Sequence, residues 1–132
     1  MIKKIEKINF IRIAALLIHA AKIDENYTEN EKKIILSFLK SLDKDIDAEN
    51  VLKEAELEEK NSNQILNFTK EIKKNDLEFK KRIIKILWKI VLSDKNSDAY
   101  ENTLMRRIGG LLYVPDKIIG DIKIEIKNQE KI

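Results

Sequence analysis

Apolar side chains recur along this chain at three- and four-residue spacing, the period of one face of an α-helix. Two stretches, residues 11–21 and 83–92, are instead apolar almost all round, and segments with so little polar surface belong inside a fold. The pattern predicts helices over residues 5–21, 28–42, 48–59, 64–74, 77–92, 99–112 and 115–127, giving an all-α, compact bundle of six or seven helices in a single domain spanning 1–132. The expected core faces are Ile34, Ile35, Phe38, Leu39 and Leu42 on the second helix, and Val51, Leu52, Ala55 and Leu57 on the third. Ile65, Leu66, Phe68 and Ile72 serve the fourth, which with the third forms a cover over the centre. Leu104, Met105, Ile108, Leu111 and Leu112, then Ile118, Ile119, Ile122 and Ile126, serve the last two.

Helix starts are marked by residues that satisfy the open N–H groups of a first turn. Thr28 and Glu31 have the spacing of a capping box, Asp98 and Glu101 repeat it, and Asp47 is placed to cap the third helix. Pro115 suits the first position of the last helix. Gly109 and Gly110 either allow close helix packing or weaken the last turn of theirs.

One skeleton, D-x-N-x-[T/D]-x-x-E, occurs at residues 24–31 and returns seventy positions later at 94–101. The same offset pairs Arg12 with Arg82, Ile13 with Ile83 and Leu17 with Leu87 as identities, and Ile18 with Trp88 and Phe38 with Ile108 as apolar matches. The expectation is two helix–loop–helix repeats, about 11–42 and 81–112, packed around an approximate two-fold axis, because neither unit can bury its apolar face alone. Residues 11–21 and 83–92 should then be neighbours at the centre, with Trp88 largely buried.

These stretches, with Met105-Arg-Arg-Ile-Gly-Gly-Leu-Leu-Tyr113 closing the second half, resemble the TerB-like (tellurite-resistance protein B) family, in which an A-D-G-x-x-x-x-E element follows a helix in each half. The glycine of that element is replaced here by Glu25 and Lys95; Asn26 and Asn96 beside them tolerate left-handed backbone better than most residues. The resemblance implies an all-helical fold and a stress-linked protein-interaction module whose acidic loops bind a divalent metal. Carried over by position, it nominates Asp24, Glu31, Asp94 and Glu101 as metal ligands, for a cation of the Ca2+ or Mg2+ class. The competing reading of the same acids is structural: Glu31 and Glu101 complete capping boxes, and Asp24 and Asp94 cap loop donors.

Composition narrows the function classes. With 26 Lys+Arg against 23 Asp+Glu the net charge is only +3, too small an excess to argue for a nucleic-acid partner. The basic stripe Lys81, Lys85 and Lys89 reads as a solvated helix face rather than a phosphate site. No cysteine means no disulfide and no thiolate chemistry. The apolar run near the N-terminus is interrupted by Glu6, Asn9, Arg12 and His19, so it is read as a buried helix, not a secretory signal or membrane span, and the protein is expected to be cytoplasmic. His19 is the single histidine and has no cysteine to join it in a metal site, so it is expected to be structural or solvent-facing.

The acidic stretches open like an EF-hand loop, but the places that motif gives to glycine and a bidentate glutamate hold Glu29 and Ile35, or Ala99 and Met105. Among catalytic signatures there is no Glu-x-x-His pair, no nucleophile elbow and no glycine-rich phosphate loop in a chain with 3 glycines. The expectation is therefore a non-enzymatic module for an unidentified protein partner, with a homodimer as one arrangement the sequence admits. The alternative is a hydrolase using the same carboxylates with a metal to activate water.

Overall fold

The most apolar stretch of the sequence becomes the most enclosed helix. In α1 (Lys7–Ile23), Ile13, Ala14, Ala15, Leu16, Leu17 and Ile18 are each at most 1% exposed, while Arg12 and His19 form its narrow polar edge. Four alanines, Ala14, Ala15, Ala20 and Ala21, are fully buried in this helix and let neighbouring helices approach closely. The computed structural model describes residues 7–23, 27–62, 66–92 and 99–130, for 99–101 and 130 the backbone. After α1 come α2 (Glu29–Leu42), α3 (Ala48–Asn61), the short α4 (Leu66–Thr69) with a 3-10 turn at Ile72–Lys74, α5 (Leu77–Val91), α6 (Ala99–Leu111) and α7 (Asp116–Glu130). Among the described residues there is no strand, and no helix is long and apolar enough to cross a membrane.

The two apolar stretches are neighbours, α1 against α5. The most extensive contact of α1 is with α3, and that of α5 is with α7; α2 closes over both α3 and α5. One core joins all of these, from Phe10 on α1 through Ile35 and Leu39 on α2 to Ile126 on α7. Burying a leucine or isoleucine side chain contributes about 1.5–3 kcal/mol against chain entropy. Trp88 is 1% exposed, as expected, and its indole N–H donates to the Ile119 carbonyl at 3.0 Å, so the core's largest side chain leaves no unsatisfied donor.

Local chemistry sets the ends. Asp47 accepts from the Asn50 N–H at 3.2 Å and Asp76 from the Phe79 N–H at 2.9 Å, capping α3 and α5. Asp98, expected to cap α6, lies outside the described residues. At the end of α6, Val114 donates to the Gly109 carbonyl at 2.8 Å and Tyr113 to that of Gly110 at 3.2 Å. This is a Schellman closure, with Tyr113 at φ 60° in the left-handed position glycine usually takes.

Three expectations need correction. The helix expected over 64–74 is interrupted: Thr69, fully buried, turns its hydroxyl to the Leu66 carbonyl at 3.3 Å, and the chain resumes as the 3-10 turn. The Asn75 side chain donates to the Glu71 and Ile72 carbonyls at 3.2 Å, and the Asp76 cap then starts a new helix. Leu57 and Leu66, assigned to the core, are 61% and 51% exposed; Phe68 and Ile72, both 2% exposed, fill the interior in place of Leu66.

Candidate functional site

Of the four acids nominated by the sequence, Glu31 is the one whose side chain is described. Asp24 and Asp94 lie outside the described residues, as does the side chain of Glu101 on α6. Glu31 stands in the first turn of α2 and is only 3% exposed. Its Oε1 accepts the Thr28 backbone N–H at 3.0 Å and also the Thr28 hydroxyl, and its Oε2 faces the Asn30 amide at 3.4 Å. This is the glutamate arm of the capping box, and charge-assisted bonds of this kind offset the cost of burying a carboxylate. Among the described residues, no group of three or more His, Asp or Glu side chains is arranged to hold a metal ion.

A concave surface lies between α2 and α5. On α2 it is lined by Asn30, Lys33, Ile34, Ser37, Phe38 and Ser41, whose spacing of three and four places them along one face, and on α5 by Ile86 and Lys89. The groove encloses about 400 Å³. Phe38 is buried, and Ile34 and Ile86 are half-buried against the core, so together they form an apolar floor. Among the described residues, the charged ones of the lining are Lys33 and Lys89. Arg82 adds a third cation at the end: it donates to the Ser41 hydroxyl at 3.4 Å and sits 5.9 Å from the Phe38 ring centre. Ser41 in turn donates to the Phe38 carbonyl at 2.6 Å. Among the described residues, none of Lys33, Arg82 and Lys89 is within 4.0 Å of a carboxylate oxygen, whereas Lys32 and Lys85 on the same two helices are paired with Glu29, Glu56 and Glu125. Such a surface suits recognition: apolar contact below, positive charge on the walls.

The family model described as tellurite resistance protein TerB matches residues 10–123, most of the chain. The chain belongs to the TerB family. No curated protein and no solved structure matches it. The TerB match takes in both acidic stretches and both walls of the α2–α5 groove.

Elsewhere on this TerB domain several charged groups are paired with one another. Where α1 ends beside α3, Glu59 accepts from Lys22 at 2.8 Å and stands 3.5 Å from Nδ1 of His19. Lys32 bridges toward Glu29 at 3.7 Å and Glu56 at 3.8 Å, and the ammonium groups of Lys32 and Lys22 stand 5.2 and 5.9 Å from the centre of the Tyr27 ring. Burial, and then the charge of Glu56, pushes the Tyr27 phenol well above its usual range, so it stays neutral. His19 thus has a structural partner, as the sequence led us to expect. A smaller cavity of about 260 Å³ is lined by Lys7, Phe10, Asp43, Ile46, Asp47, Asn50 and Val51. Its carboxylates serve the backbone: Asp43 accepts from Asp45 N–H at 3.0 Å and Asp47 caps α3.

The groove was not anticipated. In the sequence Lys89 belongs to the basic stripe read as a solvated helix face, and Lys33, Ser37 and Ser41 carry no assignment. Their i, i+4, i+8 spacing beside Ile34 and Phe38 is the signal available in the sequence.

Proposed function

We propose that this TerB-family chain is a non-enzymatic, stress-associated protein-interaction module of the cytoplasm that binds a partner protein in the α2–α5 groove and a divalent cation at its acidic loops. The groove carries this reading: it combines an apolar floor with cations that have no carboxylate oxygen within 4.0 Å among the described residues. Its lining offers contact surface and charge, the ingredients of recognition rather than of bond making. The family description links such domains to tellurite resistance.

For the cation, the residues that would hold it are Asp24, Glu31, Asp94 and Glu101, an all-oxygen donor set suited to hard ions such as calcium and magnesium. Glu31 fits that role in one respect. Its bonds from Thr28 and Asn30 fix the orientation of its carboxylate, as the outer contacts of metal-binding carboxylates do.

A photo-crosslinking amino acid at Ser37, in the groove, compared with one at the exposed Lys117 on α7, tests the interaction in the cells that make the protein. A discrete protein adduct is expected from Ser37 and not from Lys117. Adducts of equal yield from both positions, or from neither, would remove the groove as the binding surface.

A further inference from the structure

Resting on the interaction reading, we infer the chemistry of the occupant: the α2–α5 groove takes an acidic amphipathic helix from a partner protein. Three properties of the groove select it. The first is length. Asn30 to Ser41 on α2 spans about 16 Å at the helical rise per residue, the extent of about three turns. The second is the floor of Ile34, Phe38 and Ile86, which needs an apolar counterpart at the spacing one helix face supplies. The third is sign. Lys33, Lys89 and Arg82 flank that floor with no carboxylate within ion-pair reach among the described residues, so carboxylates on the two polar flanks of an incoming helix complete the pairs the domain leaves open.

A nucleic-acid strand would satisfy the cations but bring phosphates and sugars against the apolar floor, and a basic or neutral helix would satisfy the floor and meet like or uncompensated charge. The serines fit the same occupant. Ser37 is exposed and small, and leaves room for a helix backbone to come close. Ser41, already donating to the Phe38 carbonyl, turns its oxygen to the Arg82 guanidinium and helps hold that cation over the ring.

The test uses the full chain and four labelled probes followed by fluorescence anisotropy. They are a helical peptide with leucines at i, i+3, i+4 and i+7 and glutamates elsewhere; its copy with lysine for glutamate; its copy with glutamine for leucine; and an oligothymidylate. Only the leucine–glutamate peptide should bind, and its affinity should fall as salt rises, because the pairs at the rim are partly exposed. The double substitution Lys33→Glu with Lys89→Glu should weaken it at least tenfold. Lys53→Glu with Lys60→Glu, which makes the same change of net charge at exposed positions of α3, should leave it within about twofold. Ser37→Trp fills the groove without changing charge and should also abolish binding, with the helical circular dichroism unchanged in every variant. Equal binding of the glutamine-substituted peptide or the oligonucleotide would reduce the groove to a general polyanion site and overturn the inference, as would indifference to both groove variants. Concentration-dependent self-association lost on Ser37→Trp would assign the groove to a second copy instead. Failure of every peptide while Ser37 still crosslinks a protein in cells would refute this occupant and leave the interaction module standing; failure of both would refute the two together.

Discussion

Thr28 gives both its backbone N–H and its hydroxyl to one oxygen of Glu31, so a single local arrangement closes the first turn of α2 and ties down a buried carboxylate. Thr28→Ala removes the hydroxyl and keeps the N–H, and should cost about 1 kcal/mol, the usual loss for a capping side chain. Thr28→Ser should recover most of it, with urea unfolding of the two variants as the measurement; equal stability of wild type and Thr28→Ala would show that the hydroxyl contributes nothing. Thr28 and Glu31 were legible because a capping box is complete within four residues. The burial of Glu31 was not, since exposure depends on what other elements place around a side chain. The same limit hid the partner of His19: Glu59 lies on α3, forty residues away, and reaches it only through the packing of α1 on α3.

Periodicity located the helices, because each core face repeats at the helical spacing along its own segment. It failed where the choice between helix and turn is made by one side chain, as when the buried Thr69 hydroxyl takes the Leu66 carbonyl. It also placed Leu57 in the core, whereas α3 already buries Val51, Leu52 and Ala55 against its neighbours and turns Leu57 outward. Gly109 and Gly110 show how adjacent, chemically identical residues differ by element contact. A Cβ on Gly109 would lie 1.9 Å from Cδ1 of Ile119, whose side chain is itself only 3% exposed, while one on Gly110 would meet nothing within 4 Å. Gly109→Ala should therefore destabilise by about 1–3 kcal/mol, the range for overpacking a core, by forcing α6 and α7 apart. Gly110→Ala should stabilise by about 0.5–1 kcal/mol through helix propensity. Thermal melts of the two variants moving in the same direction would show that the α6–α7 contact is looser than described.

For the whole molecule, the seventy-residue offset of the acidic motif was visible in one dimension; the groove was not, because it exists only where α2 meets α5, with its lining residues on the two helices more than forty positions apart. The acids present the opposite case, named from the sequence with Glu31 alone having a described side chain. Glu31 serves the capping box in any case, so a cation role must be separated from a folding role. Asp24→Asn with Asp94→Asn removes two charges from the proposed cation ligands and leaves the Thr28–Glu31 box in place. A ligand at a hundred times its dissociation constant stabilises a fold by about 2.7 kcal/mol, which for a domain of this size corresponds to a melting shift of roughly ten degrees. We expect millimolar calcium or magnesium to raise the melting temperature of the unmutated chain, and the double variant to lose that rise while melting at nearly the same temperature without cation. Glu31→Gln should differ from it by melting lower even without cation, because the buried carboxylate then loses the charge that strengthens both Thr28 bonds. A melting temperature indifferent to either ion would leave Glu31 with its capping role alone and make the groove, not the acidic loops, the functional surface of this TerB domain.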